Sequence, residues 1–361
     1  MTLDSAPLDL SDDIVSLTAA LIDVPSESLD EEALVNLVEA ALLGLEHLHV
    51  KRHGNVIIAQ THLGRTERVV LAGHLDTVPE NGNLPSRLDD DGILWGLGSC
   101  DMKGGVAVML KIAAEVPAPN RDLTFVFYDA EEIAAVHNGL GKVAREAPEE
   151  LAGDFAILLE PSNASVEAGC QGTMRVRVTT TGERAHSARA WMGSNAIHAL
   201  APALAALHDY TPRQVEIDGL VYREGLNAVG IDGGVSGNVI PDAASLTVNY
   251  RFAPNCSESE ALAHVREVFS GFDVEVTDSA PGALPGLDRP SAAAFVEAVL
   301  AGGGAPVAPK FGWTDVSKFS SLGIPAVNYG PGDPLFAHKA DEHVRVRDLE
   351  SSLERLLAWL A

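Results

Sequence analysis

The stretch Val69-Val70-Leu71-Ala72-Gly73 is a short apolar run that ends directly at His74-Leu75-Asp76. A run of this length is typical of a strand that is buried on both faces of a parallel sheet. Ligands bind beyond the carboxyl ends of such strands, so His74 and Asp76 fall where a functional site is expected. The same pattern recurs along the chain, and it predicts both the fold and the site.

Short apolar runs alternate with amphipathic segments over roughly the first half of the chain. The predicted strands are Asn55–Gln60, Arg68–Gly73, Leu123–Tyr128 and Asp154–Leu159, and the predicted helices are 12–22, 31–46, Lys103–Glu115 and a segment after Glu132. Strands that alternate with helices require crossover connections. We therefore expect an α/β domain built on a mainly parallel sheet.

The pattern changes near Gly172. Residues 174–181 alternate polar with apolar side chains, as in a strand with one solvent-exposed face. We predict that a helix at 194–208 and the strand Ser245–Phe252 follow. Turn-forming residues at 281–290 then lead back to a helix, a strand and a terminal helix. We predict a catalytic domain over 1–172 and 285–361 that is interrupted by an α+β domain, an antiparallel sheet with helices, over 173–284.

Composition excludes several classes of function. The chain has 51 acidic against 25 basic residues and a formal charge of −26, which would repel phosphate backbones and so argues against nucleic-acid binding. No apolar run reaches the roughly 20 residues that span a bilayer, and the N-terminus does not resemble a signal peptide. Three scattered cysteines are too few for a disulfide framework. We expect a cytoplasmic protein with no membrane partner.

Imidazole and carboxylate groups follow one apolar run after another. These residues are His74, Asp76, Asp101, Glu131, Glu132, Glu160 and His338. Such side chains, without thiolates, suit zinc, cobalt or manganese and argue against a closed structural zinc site. Five ligands are too many for one open catalytic site, but they fit two metals that share a bridging carboxylate.

Two short spacings indicate roles beyond metal binding. Asp76 lies two residues after His74, so in an extended chain both side chains point the same way, and Asp76 can take the second N–H of a metal-bound imidazole. Glu131 and Glu132 are adjacent, so their side chains diverge, and one can bind metal while the other moves a proton. Taken alone, the adjacent glutamates are more typical of a solvated helix start, whereas His74 and Asp76 are less readily explained as an ordinary surface pair.

The motifs together resemble a known family. They are Gly73–Pro79, Gly96–Gly105, Glu131-Glu132 and Glu160-Pro161. In this order and spacing they resemble the dinuclear zinc amidohydrolases, among them aminoacylase, glutamate carboxypeptidase and acetylornithine deacetylase, over essentially the whole chain. The resemblance implies two divalent metal ions, most simply Zn²⁺, with Co²⁺ or Mn²⁺ as alternatives.

Roles in the metal site carry over by this resemblance. His74 and Glu160 would hold one metal, Glu132 and His338 the other, and Asp101 would bridge them. Glu131 would be the general base and Asp76 the partner of His74. The family also has a cis peptide after the bridging aspartate, which is Asp101–Met102 here.

The inserted domain would be the family's dimerisation lid, so the resemblance implies a homodimer. His186, within Gly182–Arg189, would reach the partner subunit's site and stabilise the developing oxyanion. By the same resemblance, the residues that would contact the substrate are Asn238, Arg251 and Thr314. Arginine suits this role because its planar guanidinium group can donate two hydrogen bonds to one carboxylate.

The substrate expected from the resemblance is an N-acyl amino acid. Cys170-Gln171-Gly172, Phe311–Asp315 and Phe336–Lys339 look most like an actinobacterial branch that hydrolyses N-succinyl-LL-2,6-diaminopimelate to succinate and LL-2,6-diaminopimelate, in lysine and diaminopimelate biosynthesis. A better-known branch carries Arg-Arg-Gly at the first of these positions. The alternatives are an acetylornithine deacetylase, an aminoacylase or a metallocarboxypeptidase of the same family. An alternative of another class is a catalytically silent homologue that binds or scaffolds.

Overall fold

A computed structural model describes residues 6–361, and residues 1–5 of the predicted first domain lie outside it. The helices are α1 (Ile14–Ile22), α2 (Glu32–Leu43), α3 (Lys103–Glu115), α4 (Gly139–Glu146), α5 (Ala196–Ala199), α6 (Ala201–His208), α7 (Glu258–Val268), α8 (Pro290–Ala301), α9 (Val316–Ser321) and α10 (Val346–Leu360). The strands are β1 (His49–His53), β2 (Val56–Gln60), β3 (Arg68–His74), β4 (Arg87–Leu88), β5 (Ile93–Trp95), β6 (Asp122–Tyr128), β7 (Phe155–Leu158), β8 (Glu167–Ala168), β9 (Gly172–Thr181), β10 (Ala185–His186), β11 (Gln214–Ile217), β12 (Leu220–Arg223), β13 (Gly225–Gly233), β14 (Val239–Ile240), β15 (Ala243–Phe252), β16 (Asp273–Ala280), β17 (Ala308–Pro309), β18 (Ala326–Asn328) and β19 (His343–Arg345).

The chain divides into two compact units. Unit 1 comprises the described residues up to Ala168, together with Pro285–Ala308 and Lys318–Ala361. Unit 2 comprises Gly169–Leu284 and Pro309–Ser317. The segment 309–317, which the sequence assigned to the catalytic domain, thus packs with the inserted residues. Among residues 6–361, no helix combines the length and apolar character that crossing a bilayer requires.

The large sheet of unit 1 has the strand order β1-β2-β6-β3-β7-β18-β8-β17. Its centre, β6-β3-β7-β18, is parallel throughout, with Ala72 of β3 opposite Val126 of β6 and Leu158 of β7. Every residue of β6 and β7 is buried, as the continuous apolar runs predicted. The α/β class with a large parallel-containing sheet is confirmed. Strand β2, however, runs antiparallel to β6, and it forms a hairpin with β1 at the edge of the sheet.

Two helix predictions need correction. The single helix predicted at 194–208 is two helices, α5 and α6, that meet at Leu200. Pro202 lies in the first turn of α6, where its missing N–H is tolerated, but it could not continue α5 with a hydrogen bond. The helix predicted after Glu132 begins only at Gly139, where the Asn138 side chain accepts the N–H of Gly141.

Unit 2 is built on a four-stranded antiparallel sheet with the order β13-β15-β9-β16. Buried and accessible side chains alternate along β9 and β15, which is the pattern of a sheet with one face on a core. That core includes Val176, Val178 and Leu246 from the sheet and Val265 and Phe269 from and beside α7. The predicted α+β character of the insertion is confirmed.

Candidate metal centre

Three neighbouring strands of unit 1 deliver acidic and imidazole side chains to one edge of the sheet. Strand β3 ends at His74, β6 is followed closely by Glu131 and Glu132, and β7 is followed by Glu160. His338 lies ten residues beyond the fourth parallel strand, β18, at the end of a loop. Because these strands are parallel and adjacent, the five side chains emerge at the same edge.

Asp101 reaches the site by a different route from the one the sequence suggested. The strand that precedes it, β5, ends at Trp95 and belongs to a separate three-stranded sheet, β19-β5-β4, and not to the large sheet. Asp101 is placed instead by the start of α3, where the N–H of Lys103 donates to the Gly98 carbonyl at 2.7 Å. The predicted cis peptide between Asp101 and Met102 is confirmed.

Glycines let three of the site's segments pack backbone against backbone. A Cβ at Gly105, in α3, would overlap the Leu159 carbonyl, and so would a Cβ at Gly330, which follows β18. Leu159 directly precedes Glu160, so both close approaches set the position of that carboxylate. The segments that carry Asp101, Glu160 and His338 are thereby packed against one another, and any larger side chain would force them apart.

The two carboxylate oxygens of Asp101 face two different histidines. Its Oδ1 lies 3.1 Å from Nε2 of His74, and its Oδ2 lies 3.4 Å from Nε2 of His338. Nε2 of His338 also lies 2.9 Å from Oε1 of Glu132. This is the arrangement that a carboxylate bridging two cations needs, with one imidazole on each side.

Potential ligand atoms within 4.8 Å of one another form two sets that share Asp101. One set is His74, Asp101 and Glu160, and the other is Asp101, Glu132 and His338. A third set combines His74 with Glu131 and Glu132. The two sets that share Asp101 match the pairing implied by the sequence resemblance. The residues therefore fit a pair of divalent ions, and their roles as ligands remain a prediction.

The charges at the site also favour cations. Hydrogen bonds to Asp101 and Glu132 raise the pKa of His338 to about 10. Burial opposes protonation of His74, but hydrogen bonds to Asp101 and Asp76 outweigh it and raise its pKa. Burial would raise the pKa of Asp101, yet its hydrogen bonds to both histidines lower it. Without metal, protons on the two imidazoles thus supply the positive charge that the carboxylates require, and metal ions would replace those protons.

Asp76 does more than the sequence predicted. Nδ1 of His74 lies 3.0 Å from the Asp76 main-chain oxygen and 3.5 Å from its carboxylate Oδ1, so the nearer acceptor is the carbonyl. The carboxylate accepts the main-chain N–H groups of Glu131 and Glu132, each at 3.0 Å. Burial opposes its ionisation, but the hydrogen bond and charge of His74, together with the N–H groups of Glu131 and Glu132, outweigh this and lower the pKa of Asp76 to about 2. Asp76 therefore fixes the loop that carries both glutamates.

A second buried carboxyl also holds this loop. Oε1 of Glu31 accepts the N–H of Ala130 at 3.2 Å, next to Glu131, and the N–H of Leu29 at 2.7 Å. Ala130 has a φ of 56°, which a residue other than glycine rarely adopts. The sequence did not reveal this contact, because a side chain that binds main-chain groups leaves no spacing pattern.

The other four predicted site residues lie in unit 2. His186 pairs with Val239 in the short β10–β14 ladder, which places it beside Asn238, and both His186 and Asn238 are exposed. Arg251 is half-buried on β15. Thr314 is buried in the segment 309–317. The structure of unit 2 does not test their predicted contacts with substrate, which remain predictions.

Sequence comparison gives one matching family model. Residues 70–361 match the model of peptidase family M20/M25/M40, and this range includes most of β3, every later strand, the insertion and all the candidate ligands. The match therefore spans well over half of the chain.

Two curated bacterial relatives are similar over nearly their whole length. A putative succinyl-diaminopimelate desuccinylase of Mycobacterium tuberculosis is 55% identical over 356 residues, 98% of this chain and 99% of that protein. The succinyl-diaminopimelate desuccinylase of Corynebacterium glutamicum is 47% identical, with 98% of each chain covered. Among solved structures, a tripeptidase from Staphylococcus aureus superposes with a TM-score of 0.81 and 21% identity, covering 98% of each chain, which shows the shared fold.

Proposed function

The chain belongs to peptidase family M20/M25/M40, and we propose that it hydrolyses N-succinyl-LL-2,6-diaminopimelate to succinate and LL-2,6-diaminopimelate. The observation that carries the hydrolase assignment is the Asp101 carboxylate, whose two oxygens face His74 and His338 separately. The family predicted from the sequence motifs is confirmed by the matching model.

The choice of substrate is supported by the relatives. A putative and a second succinyl-diaminopimelate desuccinylase of actinobacteria are 55% and 47% identical over nearly the full chain, and this favours the succinylated substrate over acetylornithine or a peptide. The candidate ligand positions and Glu131 all carry side chains competent for the chemistry, which speaks against a silent scaffold.

The proposed chemistry divides between the metal site and Glu131. Bound divalent ions, most simply zinc, would polarise the amide carbonyl and lower the pKa of a water molecule. Glu131 takes a proton from the attacking water and passes it to the departing amine nitrogen. Asp76 holds the main chain at Glu131 and Glu132, so the base and its neighbouring ligand keep a fixed separation.

The remaining predicted residues act on the substrate in this proposal. His186 of the partner subunit donates a hydrogen bond to the amide oxygen as it becomes negative, which lowers the barrier to attack. Arg251 binds a substrate carboxylate with its planar guanidinium group, and Asn238 and Thr314 orient the polar groups beside it. The support for these roles is the sequence motif around each residue.

A homodimer formed through unit 2 is part of the proposal. Unit 2 exposes several apolar side chains, including Val229 (61% exposed) and Ile231 (62%) on the edge strand β13. An exposed edge strand with apolar side chains is a ready surface for pairing with a second copy. Sedimentation would reveal a dimer, and Ile231→Lys should shift it toward monomer.

We place the enzyme in the cytoplasm. The described cysteines are all free thiols, and Cys100 and Cys170 are buried, as is common in reducing compartments. Cell fractionation tests this location.

A substrate comparison tests the proposed reaction. Purified chain loaded with Zn²⁺ is incubated with N-succinyl-LL-2,6-diaminopimelate, N-acetylornithine and a dipeptide, and release of the free amine is followed. We expect kcat/KM for the succinylated substrate to exceed the others by at least about a hundredfold. Equal or greater turnover of acetylornithine or the dipeptide would contradict the substrate assignment, and no turnover of any amide would contradict the hydrolase assignment.

A further inference from the structure

Glu342 is a buried residue four positions after His338 to which no role has been assigned. Its side chain is only 2% exposed. Its Oε1 accepts the main-chain N–H groups of Cys100 and Asp101, each at 3.1 Å. Both donors belong to the loop that carries the candidate bridging aspartate, so a single oxygen atom fixes the main chain at this point.

The main chain of Glu342 is tied to the same region. Its carbonyl accepts the N–H of Gly96 at 3.2 Å, and its own N–H donates to the Lys339 carbonyl at 3.1 Å. The residue after it begins β19, in which His343 pairs with Trp95 of β5. Glu342 thus joins two segments: the one that leads from β5 to Asp101, and the one that carries His338.

These two segments each contribute a residue to the candidate ligand set Asp101, Glu132 and His338. Oδ2 of Asp101 and Nε2 of His338 are 3.4 Å apart, and both belong to the set completed by Glu132. His338 has a φ of 63°, an unusual conformation for a residue other than glycine, which the surrounding contacts must maintain. A residue that binds both segments sets the separation of Asp101 and His338, which come from distant parts of the chain.

We propose that Glu342 is a positioning residue that holds Asp101 and His338 at the separation required by the pair of metal ions. This inference rests on the proposed metal centre and adds to it the side chain that maintains its geometry. Groups that orient metal ligands typically change metal affinity about 10- to 100-fold when they are removed.

Asp122 provides a matched control within unit 1. It is a buried carboxylate that accepts the main-chain N–H groups of Leu63 and Arg65, at 2.8 and 2.9 Å. It is the first residue of β6, at the opposite end of that strand from Glu131. Loss of its side chain removes a similar set of hydrogen bonds far from the candidate ligands.

The test compares Glu342→Ala, Glu342→Gln and Asp122→Ala by two measurements that do not depend on turnover. Metal affinity is measured by competition with a chromophoric chelator, and ligand geometry by the visible absorption spectrum of the Co²⁺-loaded protein. Glu342→Ala should weaken at least one metal about 10- to 100-fold and change the Co²⁺ spectrum. Glu342→Gln keeps an acceptor oxygen, so it should recover most of the affinity and the wild-type spectrum. Asp122→Ala should lower the melting temperature and leave both readouts unchanged.

Two results would overturn the proposal. One is a Glu342→Ala protein that binds both metals as tightly as wild type with the same Co²⁺ spectrum. The other is an equal loss of affinity in Asp122→Ala, which would mean that general destabilisation is the cause. If Glu342→Ala does not fold, Glu342→Asp replaces it in the same comparison. The shorter aspartate side chain cannot reach both N–H groups. Failure of the wild-type chain to bind two metals would instead contradict the metal centre itself.

Discussion

The predicted functional residues of the two units are held in place in different ways. In unit 1 the candidate ligands contact one another: His74 is buried, and Asp101 faces it and His338 with separate oxygens. In unit 2, His186 and Asn238 are exposed, and Nδ1 of the His186 ring accepts the N–H of Ala188. The folding of unit 1 alone therefore brings the candidate ligands together, whereas the substrate contacts of the unit 2 residues remain predictions. Substitutions in the two units should accordingly separate metal binding from turnover.

Glu131→Gln should have the largest effect on turnover. Glutamine cannot accept the proton of the attacking water, so kcat should fall about 10²- to 10⁴-fold. Because Glu131 is the proposed base and not one of the five proposed ligands, zinc content should stay at the wild-type value. Steady-state kinetics and metal analysis of the same sample check both points, with the exposed Glu146→Gln as the control. Wild-type turnover would remove Glu131 from the mechanism.

His186→Ala should have the second-largest effect on turnover, with a loss of about 10²- to 10³-fold in kcat and no change in metal affinity. In the proposed mechanism the lost group donates a hydrogen bond to the developing oxyanion, so its loss should slow the reaction without affecting the ligands. His198→Ala is the matched control, since His198 is also an exposed histidine of unit 2. An equal loss in both variants, or a loss of metal in His186→Ala, would show that the two units are not separable in this way.

Metal affinity should depend on pH through the ligands of unit 1. Hydrogen bonds to Asp101 and Glu132 raise the pKa of His338 to about 10, so below that pH the metal-free imidazole is protonated. Metal binding must then release this proton, and affinity should fall about tenfold for each unit of decreasing pH, or about a hundredfold from pH 8 to pH 6. Chelator competition across this range measures the slope. A flat profile would mean that His338 does not bind the metal.

Arg251→Lys should have the smallest effect. Lysine keeps the positive charge but loses the planar pair of donors, so KM for the succinylated substrate should rise roughly tenfold while kcat and zinc content stay close to wild type. Arg177→Lys, on the exposed face of β9, serves as the control. A fall in kcat with unchanged KM would indicate that Arg251 acts on the transition state, not on substrate binding.

The clustering of the candidate ligands could be predicted because most of them closely follow apolar runs in the sequence. His74 and Glu160 directly follow buried apolar runs, and Glu131 and Glu132 come within four residues of one, so the parallel sheet fixes their common edge. Asp101 was predicted as a site residue from its motif. The sequence did not reveal that the strand before it belongs to a separate sheet, because pairing between distant strands leaves no local pattern.

Contacts from side chain to main chain were the part that sequence reasoning missed. Asp76 binds the N–H groups of Glu131 and Glu132, and Glu31 and Glu342 hold Ala130 and Asp101 in the same manner. Main-chain groups are present at every position, so the sequence gives no indication of which of them a carboxylate will meet. The break at Leu200 between α5 and α6 could have been predicted from the sequence, because Pro202 follows closely and a proline cannot continue a helix with a hydrogen bond.

The central claim is that Asp101 bridges two metal ions, and diffraction from Zn²⁺-loaded crystals at the zinc absorption edge tests it most directly. The account predicts two anomalous peaks roughly 3.5–4 Å apart, one beside His74 and Glu160 and the other beside Glu132 and His338, with Asp101 between them. A single peak, or two peaks that do not share Asp101, would contradict it.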